Sequence, residues 1–130
     1  MLANCLRSIA AQEDVANHAI HIVAVDNDAT PTSAHIVAGF TIEIPFPVQY
    51  LHEPRRGIPI ARNRVIDAAL AMGADRLAFL DDDRVAHRSY ISKHLEAAER
   101  HNADARPAAF ARCFLLPVSS NLSIDEMNSY

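Results

Sequence analysis

Residues 19–28 read AIHIVAVDND, a run of mostly apolar, β-branched residues that ends in acids. Such a run is typical of a strand buried on both faces of a parallel sheet, followed by a polar loop. Residues 75–83, DRLAFLDDD, have the same form and end in three acids. Two further strands are predicted, one at residues 48–53 and one, as a single strand or a strand pair, at residues 107–118.

Helical patterns alternate with these strands. The first helix has apolar residues at the i, i+3, i+4, i+7 spacing, namely Leu2, Cys5, Leu6 and Ile9. A weaker helix is predicted over residues 32–40, a clear one over residues 58–72 with Gly73 as its C′ residue, and a last one over residues 89–101. Strands that alternate with helices predict an α/β fold, a mostly parallel sheet flanked by helices.

Composition sets the class of protein. With 130 residues, half of them apolar and 22% charged, the chain has the size of one globular domain, which we place at residues 1–118 with a polar tail at 119–130. A net charge of −4 without a basic tract argues against nucleic-acid binding. No apolar run approaches the length of a membrane span, and the N-terminus does not read as a secretory signal. We therefore expect a cytoplasmic location. Cys5 and Cys113 fit no metal pattern, which favours buried free thiols.

Two acidic clusters follow predicted strands, Asp26 with Asp28 and then the triplet 81–83. In a parallel sheet, strands end at a common edge where ligands bind. Three adjacent carboxylates repel one another, and Mg²⁺ or Mn²⁺ would neutralise them together with substrate phosphates. The alternative interpretation is structural, because Asp83 or Ser89 could cap the following helix and Asp26 could form an Asx-turn.

Residues 52–63, HEPRRGIPIARN, place basic side chains beside the start of a predicted helix. Arginines at a helix N-terminus suit a phosphate group. The alternative is a solvated helix start in which Glu53 pairs with Arg55 or Arg56. A different metal-dependent phosphoryl or nucleotidyl enzyme would also fit an acidic edge, although it would need a positioned nucleophile or base near the triplet.

Four segments together carry a family resemblance: CLRSIAAQ at 5–12, IVAVDND at 22–28, YLHEPRRGIPIARN at 50–63 and DRLAFLDDD at 75–83. In this order and spacing they resemble the N-terminal half of a family 2 glycosyltransferase of the GT-A fold. The resemblance implies a partial GT-A (Rossmann-like) fold. It also implies transfer of a sugar from a UDP- or GDP-sugar to a saccharide, lipid or protein acceptor, with Mn²⁺ or Mg²⁺ as cofactor.

The resemblance also implies roles for residues on the nucleotide side. Asp26 matches the acid that contacts the uracil or ribose side of the nucleotide. Arg56 lies where a basic residue approaches the base and the diphosphate. Arg62 and Asn63 match an element of the helix that packs under the nucleotide.

The acidic triplet matches the DXD motif of the family. Its last acid, Asp83, is the implied metal ligand that bridges to the diphosphate, with Asp81 as a further ligand. Either Asp81 or Asp82 would contact the ribose or the sugar. No residue is assigned as the catalytic base, because Asp125 and Glu126 lie in the polar tail without the surrounding pattern of the family.

The chain also departs from the family pattern. The family has a strand and a P-T-Y-N-R-like loop before CLRSI, and this strand lies between those predicted here at 20–26 and 76–80. Met1 already lies in the following helix, so we expect a fragment with weak or no activity alone. The two strands would then pair directly, leave a gap or accept another chain, and exposed strand edges would favour self-association. The alternative function is a non-catalytic nucleotide- or metal-binding fragment or subunit.

Overall fold

The structure, a computed structural model, describes residues 1–101 and the strand at 114–118. Helices and strands alternate in the order α1 (Leu2–Ala10), β1 (Ile22–Asp26), α2 (Ala34–Phe40), β2 (Val48–His52), α3 (Ile58–Ala71), β3 (Ala78–Phe79), α4 (Tyr90–His101) and β4 (Phe114–Val118). The strands form one parallel sheet in the order β2-β1-β4-β3. The predicted α/β fold with a parallel sheet is confirmed, and the polar tail at 119–130 lies outside the described residues.

Strand β1 is buried over its whole length, because helices cover both faces of the sheet. Its side chains at Ile22 and Ala24 pack against α1 and α2, and those at Val23 and Val25 pack against α3. Alternate side chains of a strand point to opposite faces, so an apolar run without period-two polarity fits this central position. Among the described residues, no helix combines the length and the apolar character needed to cross a membrane.

Strand β4 lies between β1 and β3 and pairs in parallel with both. The expectation that β1 and β3 would pair directly, leave a gap or accept another chain is therefore wrong, since a later strand of the same chain occupies the position. It does so although Pro117, opposite Val25, has no N–H to give to the ladder. The strand predicted over residues 107–118 is thus confirmed at its C-terminal end, and residues 107–113 lie outside the described residues.

Strand β3 is much shorter than the predicted 75–83, with only Ala78–Phe79 paired. The chain turns at the acids, where the backbone N–H of Arg84 donates to the Asp81 carbonyl at 3.0 Å. The prediction failed because hydrophobicity alone does not show where a strand leaves its neighbour. Helix α3, by contrast, ends as predicted, with Gly73 in the left-handed region at φ +67°.

Candidate functional site

The polar edge is the carboxyl edge of the sheet, where β1 and β3 end. Asp26 is the last residue of β1 and pairs with Val118 of β4. Phe79, two residues before Asp81, pairs with Leu115. Both acidic clusters therefore lie at this edge, and the strands that carry them are two strand spacings, or about 10 Å, apart. One ion with bonds of about 2.1 Å cannot reach both clusters, whereas an elongated ligand can.

Asp26 closes the polar turn that follows β1. Its side chain is fully buried, and its Oδ1 accepts from the Asp28 N–H at 3.1 Å. Its Oδ2 accepts from the Ser33 N–H and from the Tyr50 hydroxyl, both at 2.8 Å. Burial first, and then the bond and charge of Asp26, raise the pKa of the Tyr50 phenol, so Tyr50 remains a donor. All of these partners belong to the protein itself, and the predicted contact of Asp26 with a nucleotide stays a prediction.

Asn27 binds the loop that leads from β2 into α3. The side chain is buried, and its Nδ2 donates to the carbonyls of Glu53 at 2.9 Å and Arg55 at 2.7 Å. Its Oδ1 accepts from the Gly57 N–H at 2.8 Å. The Glu53 N–H also donates to the Asp26 carbonyl at 2.8 Å, which extends the β1–β2 ladder by one bond. The loop at 54–57 is therefore fixed to the end of β1.

Asp28 is the partner of the predicted site residue Arg56. Its carboxylate is buried and accepts from the Thr32 hydroxyl at 2.9 Å and from the Arg56 guanidinium at 3.4 Å. The Arg56 side chain remains 66% exposed, so it faces both the buried acid and the solvent at this edge. His52 Nε2 lies 2.8 Å from the Asp28 carbonyl oxygen. Arg56 thus provides an accessible positive charge beside the end of β1.

Arg55 points to a different partner. Its Nε and Nη2 donate to the two oxygens of Glu53 at 2.8 and 3.0 Å, the two-pronged pairing typical of guanidinium and carboxylate. These bonds to Arg55 lower the pKa of the Glu53 carboxyl to about 2. In the alternative interpretation of this stretch, Glu53 pairs with Arg55 or Arg56. The structure shows that Glu53 pairs with Arg55, whereas Arg56 pairs with Asp28.

Arg62 and Asn63 lie on the second turn of α3, and both are exposed. The Arg62 guanidinium carbon stands 5.5 Å from the centre of the Phe79 ring, a cation–π contact that joins α3 to β3. Their predicted roles at the nucleotide stay predictions.

The acidic triplet forms an exposed turn beside α1. Asp81 and Asp83 are exposed, and Asp83 is 3.4 Å from the Arg84 guanidinium, a surface ion pair. Asp82 is half-buried, and burial together with the charges of its two neighbours raises its pKa to about 6. The Asp81 carbonyl accepts from the buried Cys5 thiol at 3.5 Å. Since α4 begins at Tyr90, seven residues after Asp83, Asp83 does not cap it.

The carboxylates of the triplet do not converge on one point. Among residues 1–101 and 114–118, no group of three or more His, Cys, Asp or Glu side chains is arranged to hold a metal ion. Magnesium, however, is commonly held by one or two carboxylates, with substrate phosphates and water completing its shell. The exposed oxygens of Asp81 and Asp83 fit this second kind of site.

Sequence reasoning missed two residues that build the edge, Asn27 and Tyr50. Their partners lie 24 to 30 residues away in the chain, so no local pattern reveals them. The only signal was the position of Asn27 directly after a buried strand, where Asn and Asp often form side-chain bonds to a turn.

The fold places this chain among the parallel α/β proteins. Proteins of this class commonly bind ligands at the carboxyl edge of the sheet, where the polar side chains described above also lie. The family model of glycosyl transferase family 2 matches residues 1–121, and this chain belongs to that family. It is also similar to the succinoglycan biosynthesis protein ExoM of Rhizobium meliloti strain 1021, with 38% identity over 104 residues, or 80% of this chain. The chain spans about a third of the length of this relative (33%). No solved structure matches the chain.

Proposed function

We propose that the chain forms the donor-binding part of a glycosyltransferase and binds a UDP- or GDP-sugar along the carboxyl edge of the sheet. The observation that carries the proposal is the spacing of its two polar clusters. Strands β1 and β3, which lead into Asp26–Asp28 and the triplet 81–83, are about 10 Å apart in the sheet, and Arg56 pairs with Asp28 after the end of β1. A nucleoside diphosphate is elongated enough to contact both clusters.

In this arrangement the nucleotide lies toward the end of β1, and the diphosphate points toward the triplet. The exposed guanidinium of Arg56 donates to phosphate oxygens, for which its planar geometry is suited. Arg62 and Asn63 lie on the helix beside this path. Family membership supports a nucleotide-sugar donor in general, and the choice between uridine and guanosine belongs to the proposal.

We further propose that Mn²⁺ or Mg²⁺ binds together with the donor. Asp83, after release of its surface partner Arg84, and Asp81 would supply carboxylate oxygens, and the diphosphate would supply the rest. A bound divalent ion would stabilise the negative charge that develops on the leaving diphosphate. Because the described residues form no complete metal site, we expect weak binding of the metal without the nucleotide.

The proposed reaction is transfer of the sugar from the diphosphate to a hydroxyl group of an acceptor. The name of the relative, a succinoglycan biosynthesis protein, supports a saccharide acceptor. The acceptor hydroxyl must lose its proton as it attacks, and a general base takes this proton. None of the described residues is assigned as that base.

The test is calorimetric titration of the protein with UDP and with GDP, each with and without Mn²⁺. We expect metal-dependent binding of one nucleotide, which Asp83→Ala abolishes. Asp75→Ala is the matched control, because Asp75 is an exposed acid that lies before β3, away from the carboxyl edge. Equal binding by Asp83→Ala and wild type would refute the metal role. Failure of the folded wild-type protein to bind either nucleotide would refute the donor site.

A further inference from the structure

We infer that Asn27 is a positioning residue that presents Arg56 to the diphosphate of the donor. The inference rests on the proposed donor site and adds to it a residue that the family resemblance does not single out. Its basis is the set of bonds made by one buried side chain, all of them to the backbone of one loop.

The amide of Asn27 makes three hydrogen bonds, which occupy both of its polar atoms. Two run from Nδ2 to the carbonyl oxygens of Glu53 and Arg55, and one runs from the Gly57 N–H to Oδ1. The bonds are 2.7 to 2.9 Å long and come from a buried side chain; the bond to Glu53 is buried, and the other two are partly buried. Because the partners are backbone atoms, Asn27 fixes the path of the loop.

Arg56 lies between two of these anchored points. The carbonyl of Arg55 before it and the N–H of Gly57 after it are both held by Asn27. Gly57, the N-cap of α3, adopts φ +141°, which is strained for any residue with a side chain. The direction of the Arg56 side chain toward Asp28 therefore depends on the three bonds of Asn27.

The neighbouring arginine shows why such control matters. Arg55 forms an ion pair with Glu53, whereas Arg56 forms an ion pair with Asp28 at the edge of the sheet. A rotation of the loop would exchange or remove these directions, and Arg56 would no longer be held beside the donor. A cation held in place before the ligand arrives binds more tightly, because less order has to be created on binding.

The first test measures the loop without any nucleotide. Trypsin cleavage after Arg55 and Arg56 is compared with cleavage after Arg88 in wild type, Asn27→Ala, Asn27→Asp and the control Asn17→Ala, which alters an exposed asparagine. We expect the two Asn27 variants to be cleaved roughly tenfold faster in the loop only, since losing even one such bond is worth about that factor. Asp matches Asn in size but cannot donate to the two carbonyls. If trypsin cleaved Asn27→Asp in this loop at the wild-type rate, the inference would therefore be overturned.

The second test links the loop to the donor through Arg56. The calorimetric titration uses Mn²⁺ and whichever of UDP and GDP the wild-type protein binds. We expect Asn27→Ala to weaken the binding of this nucleotide roughly tenfold. In an Arg56→Ala background the same change should have no further effect, because Asn27 acts through Arg56. A general loss of structure would weaken binding in both backgrounds. Equal losses in both backgrounds, or full affinity with a loosened loop, would overturn the inference while leaving the donor site intact.

Failure of the proposed function gives a different result. Wild type would then bind neither nucleotide, and the donor part of the inference would fall with the donor site. The cleavage pattern would still confirm or overturn the attachment of the loop to Asn27 independently.

Discussion

Replacing Tyr50 with phenylalanine removes a single hydroxyl from the polar edge. That hydroxyl donates to the buried Asp26 carboxylate at 2.8 Å. Hydrogen bonds to charged groups contribute roughly 1.5–3 kcal/mol, and Asp26 keeps two backbone donors in the variant. We therefore expect the lower end, a loss of about 1.5 kcal/mol in the free energy of unfolding, or about 5 °C in Tm for a domain of this size.

Urea unfolding followed by circular dichroism measures this loss, and the matched control is Tyr90→Phe. The Tyr90 hydroxyl donates to the Phe79 carbonyl at 2.9 Å, an uncharged acceptor, so a loss of about 1 kcal/mol or less is expected there. A Tyr50→Phe loss equal to or smaller than that of Tyr90→Phe would refute the reasoning. A double-mutant cycle with Asp26→Asn then isolates the coupling of Tyr50 with Asp26.

The pH dependence of the same variant checks the cause. Burial and the neighbouring Asp26 raise the pKa of Tyr50 in the folded protein above its ordinary value of about 10. The unfolded chain then loses the phenol proton first as the pH rises. The contribution of Tyr50 to stability is therefore complete below pH 10 and is lost above it. The difference between wild type and Tyr50→Phe should be constant from pH 7 to about 9.5 and should narrow at higher pH.

Two further predictions concern the core and the loop. Leu6→Ala, at a fully buried position of α1, should lower the free energy of unfolding, measured by urea unfolding, by about 3 kcal/mol. The control Ile42→Ser, at a position 92% exposed, should change it by less than about 0.5 kcal/mol. Similar changes in the two variants would contradict the assigned core. Glu53→Gln removes the charge that pairs with Arg55. The pKa of Glu53 is lowered to about 2, so wild type should have a larger free energy of unfolding than Glu53→Gln above about pH 5. This difference should disappear as the pH falls toward 2. A difference in the free energy of unfolding that does not change with pH would argue against the ion pair.

Local patterns predicted the elements of this fold well. The spacing of apolar residues located α1 and α3, and the glycine at position 73 located the end of α3, because both signals depend on neighbouring residues. The place of β4 was not predictable in the same way. Its position depends on pairing between Ile22 and Phe114, which no short-range signal encodes.

The candidate site shows the same division. The common edge of the two acidic clusters followed from the parallel sheet, and the structure places both clusters there. The burial of Asp26 and the bonds of Asn27 did not follow, because they depend on Tyr50 and on a loop that folds back from the next strand. Sequence therefore indicated which end of the sheet carries the polar groups but not which of them face the solvent.

The position of β4 also has a consequence for how the protein is made. Strand β1 leaves the ribosome before its partner β4, which follows about ninety residues later, a delay of about 5–20 s at ordinary rates of synthesis. In the described sheet β3 pairs with β4 alone, so nothing in the ladder joins β3 to β1 before that time. Such distant pairing makes for high contact order and slow folding. The two halves of the carboxyl edge thus reach their final spacing only after β4 has been synthesised.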